Sequence, residues 1–567
     1  MALTLGGRTF LVPSVYAVTR VISEAGGVVS VFNIGLIVAK QMKGKPYLAG
    51  TGSTPLPADQ IMPGFTNSAD LEDEYGFEGD NEGATFYRHA KRQGAGKIYF
   101  LGVNPTTKLI DGVVQNATPV DAIKISSRDY GAYVNDISLT IASSIHTIIP
   151  PKNTTFLTAD SGTGQTISVK NVSRFRAGDT VLLRDNVYAA PVSKVIQSID
   201  ATAKTITFTT AIAASAVVSG YARIFQEAPE LQEVSAALDT VAKLQDFYAA
   251  SKFLSATIFT GVTLMPVTKA KTYLQDLTGA TKATSPDAQA SDWQAVADNF
   301  QRWNEEFALV NKFYIRLLGL VTSDAANHAA FGVLATTMRN ANKPIAIVTG
   351  CALGDYALTS SDAAYPAKRA ATLNTDEIQL AGFGLDGLPA YLSLAGQLAG
   401  IRLANEVIHN QTADGVVATS VEKAYFRDDL KLEEWTKAGV IALMMTKNGI
   451  VINQGLTTYQ DQSTVFNSST KRTYLVMLRD LADFDLRAML EILDAQVGAD
   501  GVTAQILSAI VIQTSEILKS SFHYITGYRI KRVYKEGNAF KIEREVSLDT
   551  PTDFIGLTNT IVMAPGS

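Results

Sequence analysis

Between residues 314 and 349 the chain sets an apolar run (314–321, YIRLLGLV), an Ala-rich helical stretch (324–340) and a second apolar run (344–349, PIAIVT) in succession. A crossover of that length is what parallel strand pairing requires, and such crossovers are right-handed. The alternation continues on both sides. Residues 231–250 and 291–307 read as helices, the second carrying Trp293 and Trp303, with an apolar strand at 255–265 between them. Upstream, 28–39 (VVSVFNIGLIVA) and 97–103 (KIYFLGV) read as buried strands on either side of a helix at 81–93. The expected fold class is therefore multidomain α/β (α+β) with a parallel sheet covered on both faces.

With 567 residues the chain exceeds what one core can organise, so three or four domains are expected. After Pro150-Pro151 the composition turns to Thr, Val, Ser and Ala, with strand-length runs at 165–169, 180–183, 193–199 and 205–209. Short strands at this spacing predict a small all-β barrel or sandwich, inserted into an α/β domain. The division expected is an N-terminal arm (1–30), a middle α/β domain (31–145 and 229–371), an outer β insertion (146–228), an inner C-terminal α/β domain (372–548) and a C-terminal arm (549–567). No internal repeat of solenoid length is visible.

The inner domain is built around a hairpin signal. Asn448-Gly449 separates Val440, Ile441 and Leu443 from Ile450, Val451 and Ile452, and an Asn-Gly pair accepts the positive φ of a tight turn. A third apolar run at 473–478 leads to an amphipathic helix with Leu481, Phe484, Ala488 and Ile492 on one face. A second helix is expected at 500–520 and two strands at 522–548, turning near 535–538. The arms read as extended edge segments. Phe10, Val12, Tyr16 and Val18 occupy even positions around Pro13, and Phe554, Ile555, Leu557, Ile561 and Met563 follow Pro551.

Little of the sequence promises chemistry. A net charge of −5 argues against direct nucleic-acid binding, and no apolar run approaches the roughly 20 residues of a membrane span. The first residues (MALTLGGRTFLVP) show no secretion signal. Cys351 stands alone, which excludes a disulfide framework and a cysteine zinc site. His89, His146, His328, His409 and His523 form no metal-ligand spacing, and the acidic run 70–74 lacks the glycine of a calcium loop. Residues 382–387 (GFGLDG, from Gly382 to Gly387) match G-x-G-x-x-G, with Glu406 about 20 residues on, but no second strand follows to carry Glu406. The turn reads as glycine-rich packing, with a nucleotide-binding oxidoreductase as the alternative. No catalytic residue, cofactor or metal is expected. Only 18% of residues are charged, a deficit that points to surface buried in assembly.

The C-terminal third carries an ordered set of short motifs: Ala390, Tyr391, Ala395, Gly396, Ala399 and Gly400; Ala438, Gly439, Val440 and Ile441 with Asn448, Gly449, Ile450 and Val451; Thr457-Thr458; and 473–479 running into 481–492. In this order the chain resembles the tail sheath proteins of contractile-tailed bacteriophages and related injection systems, over roughly residues 370–567 and more weakly at 94–103. The resemblance implies a non-enzymatic subunit that stacks as hexameric rings around a tail tube and contracts to drive the tube through a host envelope for genome delivery. It implies partners in further copies of itself, the tail tube protein, and baseplate and neck or terminator proteins. The place implied is the virion tail, after assembly in the host cytoplasm. The arms named above would add strands to an acceptor sheet in neighbouring subunits, expected at Val440, Ile441, Leu443, Ile450, Val451 and Ile452. A baseplate or adhesin component with a β-rich insert is a further alternative.

Overall fold

The computed structural model describes residues 4–5, 8–9, 35–40, 64–75, 82–103, 112–460 apart from short breaks, single helical positions between 508 and 519, and 525–548. In chain order, β1 (Thr4–Leu5) and β2 (Arg8–Thr9) pair with each other. Then come β3 (Gly35–Lys40), β4 (Gly64–Phe65), α1 (Ser68–Tyr75), α2 (Glu82–Arg92) and β5 (Ile98–Val103). The chain next builds β6 (Gly112–Gln115), β7 (Asp121–Ser127), β8 (Ser138–Ala142) and β9 (Ile145–Ile149). It goes out again through β10 (Pro151–Phe156), β11 (Thr166–Ser168), β12 (Thr180–Arg184), β13 (Val192–Asp200), β14 (Thr205–Phe208) and β15 (Arg223–Glu227). It returns by β16 (Glu233–Val234), α3 (Val241–Ala250), β17 (Leu254–Ile258) and β18 (Lys269–Tyr273). The final stretch holds α4 (Ala290–Asn311), β19 (Leu317–Val321), α5 (Ala325–Asn340), β20 (Ala346–Gly350), α6 (Pro366–Leu373), β21 (Ile378–Ala381), α7 (Leu394–Leu403), α8 (Leu430–Ala438), β22 (Val440–Ile441), β23 (Leu443–Thr446), β24 (Gly449–Ile452), β25 (Ile525–Glu536) and β26 (Ala539–Leu548).

The centre is a seven-stranded sheet in the order β22-β21-β20-β19-β3-β5-β4, parallel throughout except for β4. Its strands are mostly apolar and buried on both sides because both faces are covered, with Gln379 and Thr349 as buried polar exceptions. In β3, Ile37 and Ala39 join a core with Phe86 of α2, Leu398 of α7 and Trp435 of α8, while Leu36 and Val38 pack with Phe300 of α4 and Phe331 of α5. The small residues Gly396 and Gly400 bring α7 close against α2. A Cβ on Gly400 would lie 2.3 Å from the Ala90 carbonyl oxygen, and one on Gly396 would lie 2.8 Å from that of Phe86. The sheet takes strands from both sides of position 371/372, because β3 and β5 come from the first hundred residues and β21 and β22 from beyond 372.

Strands β6 to β9 and β16 to β18 form two further sheets, β17-β7-β6 and β16-β9-β8-β18, around Ile123, Ile125, Leu139, Ile148, Leu244 and Tyr248. The helix expected over 231–250 is present only as α3, from 241. The Thr240 hydroxyl caps it by accepting from the Lys243 amide at 3.3 Å, and 233–234 instead pairs with β9 as β16. Leu231 and Val234 are exposed.

The all-β insertion is an antiparallel sheet in the order β10-β15-β12-β13-β14-β11. Its outer strands meet through the Leu157–Val169 bridge, with Thr158 N donating to Ser168 O at 3.0 Å and Lys170 N to Phe156 O at 2.9 Å. The sheet therefore closes into a six-stranded barrel around Val181, Leu183, Ile206, Phe208 and Ile224. Strand β9 lies outside it, in the sheet of the neighbouring unit. The chain is thus a multidomain α/β protein with one insertion nested inside another.

Candidate assembly surface

The apolar run 440–445 is divided between two sheets. Val440 and Ile441 form β22, the end strand of the central sheet, paired in parallel with Leu380 and Ala381. The chain then breaks at Ala442, and β23 and β24 form a hairpin in which Leu443 faces Ile452, Met444 faces Val451 and Met445 faces Ile450. Gly449 enters the turn at φ +122°, where L-residues are rarely found. Val440, Ile441, Leu443, Val451 and Ile452 are buried and Ile450 is half-buried. Beneath them Trp435 and Phe383 stack with ring centres 4.6 Å apart, and Trp435 Nε1 donates to the Tyr365 hydroxyl at 2.9 Å. These rings seat α8 and fix the angle at which the hairpin leaves the sheet.

Both edges of this hairpin are already met by the chain itself. Tyr425 N donates to Leu443 O at 3.0 Å and receives Met445 N on its own carbonyl at 2.8 Å, while Val416 N reaches Ile450 O at 3.5 Å. A more open edge lies further on. Strands β25 and β26, of 12 and 10 residues, pair only with each other among the described residues. At about 3.3 Å per residue the ribbon extends roughly 40 Å. Tyr528 Oη donates to Glu516 at 2.7 Å, and Lys531–Glu545 (2.6 Å) and Arg532–Glu543 (2.7 Å) form exposed ion pairs across it. Charges spaced along an exposed ribbon discourage indiscriminate edge pairing while leaving its backbone groups open to a specific strand. The alternating FKIEREVSL run was the signal for it. The arm residues Phe10, Val12, Tyr16, Val18, Phe554, Ile555, Leu557, Ile561 and Met563 fall outside the described residues, as do the 473–478 run, the 481–492 helix and Glu406.

The glycine-rich turn after β21 is filled by the protein's own groups. A Cβ on Gly382 would lie 2.6 Å from the Trp435 ring, and one on Gly384 would lie 2.2 Å from Leu388 O. Gly384 N donates to a Glu422 carboxylate oxygen at 2.7 Å, and Gly354 N donates to the other, at 2.5 Å. Asp386, at φ +53°, accepts from Thr419 N (2.7 Å), Thr419 Oγ1 (2.8 Å), Ser420 N (3.1 Å) and Arg92 (3.0 Å). Burial raises the Asp386 carboxyl, but the Thr419, Ser420 and Arg92 donors outweigh it and hold it down at about 2. A phosphate-binding turn presents free amides to its ligand; here Gly382 N donates to Ile441 O, Gly384 N to Glu422, Leu385 N to Ser393 Oγ and Asp386 N to Ser420 O. The helix begins only at Leu394, and the Ser393 hydroxyl just before it accepts from the Leu385 amide of the turn at 2.9 Å. The motif is packing, and the dinucleotide alternative has no support in this geometry.

The remaining reactive side chains are committed to packing. Burial pushes the Cys351 thiol up to about 12, and His328 Nε2 lies 2.8 Å from Thr322 O and 2.9 Å from Thr349 Oγ1 inside the core. Among the described residues no group of three or more His, Cys, Asp or Glu is placed to hold a metal ion, and no helix is long and apolar enough to cross a membrane.

No protein-family model matches the chain, and no curated protein matches it. Among solved structures it is similar to a sheath tail protein from Listeria innocua, at 13% identity over 91% of this chain and 91% of that one, with a TM-score of 0.50. A sheath tail protein from Desulfitobacterium hafniense matches at 12% identity over 91% and 96%, with a TM-score of 0.49. The fold of this chain is that of the Listeria innocua sheath tail protein.

Proposed function

We propose that the chain is the structural subunit of a contractile tail sheath. Copies would stack as hexameric rings around a tail tube and shorten to drive the tube through a host envelope, without catalysis. The observation that carries this reading is the fold shared over 91% of both chains with the Listeria innocua sheath tail protein. The filled glycine turn and the low charged fraction support it. Partners are further copies of the chain, the tail tube protein, and baseplate and neck or terminator proteins. The place is the virion tail, after assembly in the host cytoplasm.

Copies join by strand addition. The arms around Phe10–Val18 and Phe554–Met563 pair with edges on neighbouring subunits, above all at the β25–β26 ribbon, whose edges carry no other strand among the described residues, and at the β22–β24 region only by displacing the Tyr425 or Val416 backbone from the hairpin. Backbone pairing alone cannot hold an arm. Each hydrogen bond contributes roughly 0.5–1.5 kcal/mol, against about 1–2 kcal/mol per residue for ordering. The apolar side chains Phe554, Ile555, Leu557, Ile561 and Met563 supply the rest, at about 1.5–3 kcal/mol for each one fully buried.

Electron microscopy of the purified chain tests the reading. Hollow tubes built of six-fold rings are expected. A chain that stays monomeric at every concentration and salt level tried would overturn it.

A further inference from the structure

The barrel touches its two neighbours in physically different ways. Against the β6–β9 and β16–β18 unit, Arg223, Asp136 and Arg184 have fully buried side chains. Arg223 grips both oxygens of Asp136, with Nη2 2.8 Å from Oδ1, and also reaches Asn186 Oδ1 (2.9 Å) and Gln275 Oε1 (3.1 Å). Arg184 donates to both oxygens of Asp276 at 3.0 and 3.2 Å and lies over the Tyr273 ring. Removing one partner of such a set leaves a charge stranded out of water, so the seam does not open on its own.

The contact with the central-sheet unit is of another kind. Glu72 on α1 has a side chain only 2% exposed, and its two oxygens are shared between Arg88 of α2 and Arg174 of the barrel, the latter at 2.5 Å. Both arginines are about two-fifths exposed. Arg174 is carried rigidly: it sits in a turn closed by Phe175 N to Val172 O at 3.1 Å, and Val172 and Phe175 are anchored in the barrel core. The chain passes between the central-sheet unit and the barrel-bearing pair only twice, between Val103 and Gly112 and between Tyr273 and Ala290. None of the principal packed element pairs joins the central sheet or its helices to β6–β9 or β16–β18.

We infer that Glu72–Arg174 is a releasable electrostatic latch, which sets the orientation of the barrel and its fused neighbour relative to the central sheet. Glu72 is the fixed half. When Arg174 leaves, Arg88 still neutralises the carboxylate, so opening strands no buried charge. The exposed arginine makes the latch sensitive to ionic strength, because the screening length falls from about 10 Å at 0.1 M salt to about 3 Å at 1 M. Asp136, with both its neighbouring arginines buried, is not opened by the same change. The inference rests on these contacts and not on the sheath reading.

Spin labels at Val195 in the barrel and Val333 on α5, both exposed, report the setting in the soluble full-length chain by pulsed dipolar spectroscopy. The unsubstituted Arg174 chain is expected to give a narrow distance distribution at low salt that broadens in about 1 M salt. Arg174→Glu is expected to give the broad distribution at both salts, and Arg174→Lys to restore the narrow one at low salt. The salt arm needs no variant, so a folding defect in Arg174→Glu cannot hide the answer. A distribution that neither salt nor Arg174→Glu alters would overturn the latch.

Discussion

Three histidines show how the core constrains the protein's response to acid. His89, His146 and His328 are all buried, and burial lowers each to about 4; at His89 the nearby Arg92 adds to the effect. An unfolded histidine titrates near 6.5, so between those values the unfolded chain binds more protons than the native one. The stability of the neutral forms is complete above about pH 6.5 and is lost as pH falls toward 4. Carboxylates contribute below that window. His328→Gln keeps an N–H for Thr322 O and removes the proton uptake. Its urea midpoint is expected to fall less steeply between pH 6.5 and 4.5 than that of the unsubstituted chain, and equal slopes would refute the assignment. The same scale shows where sequence reading stops. The formal G-x-G-x-x-G of 382–387 was visible, but the partners that take up its amides, Ile441, Ser420 and Glu422, lie 34 to 59 residues further along the chain, and no local pattern announces them.

At the scale of elements, much was legible because burial writes itself into strands. The runs at β5, β19 and β20 are largely apolar at successive positions since both sheet faces are covered, and the barrel strands alternate since only one side is. Adjacency left no such trace. That β3 lies between β5 and β19 depends on packing across the whole chain, and the split of 440–445 at Ala442 depends on Asn453 N reaching Ala442 O at 2.9 Å. Which strand edges stay open within the chain is hidden from the sequence for a related reason. The Asn-Gly turn marks the hairpin strongly, but an edge is open only where nothing else in the fold meets it. For the β25–β26 ribbon a proline scan decides. Of two neighbouring positions such as Arg529 and Ile530, one N–H points across to β26 and the other outward. One of Arg529→Pro and Ile530→Pro is expected to stay folded yet form no tubes. Two folded variants that both polymerise would rule the ribbon out as acceptor.

The whole molecule behaves as two coupled parts, the central-sheet unit and the barrel with its fused neighbour. Arg223→Met leaves Asp136 buried with only Arg184, 3.7 Å away, as its partner. A loss of about 3 kcal/mol is expected. By differential scanning calorimetry the barrel should then melt apart from its neighbour, splitting a shared transition. An unchanged thermogram would mean the seam does not couple them. Arg174→Glu, by contrast, should leave that transition in place, because it frees an exposed side chain and strands none.

The nesting of the chain also has a temporal side. Gly35 in β3 waits for Leu317 in β19, about 280 residues later, before its second hydrogen-bonded neighbour exists. At roughly 5–20 residues per second a ribosome needs about 15–55 s to deliver it. In that interval the barrel and its neighbour gain every strand they need, while β3 and β5 have α2 against one face but wait for α4 and α5 on the other. The inserted barrel is thus complete on the nascent chain well before the central sheet can close, so the chain's innermost insertion is finished before the unit that encloses it in sequence.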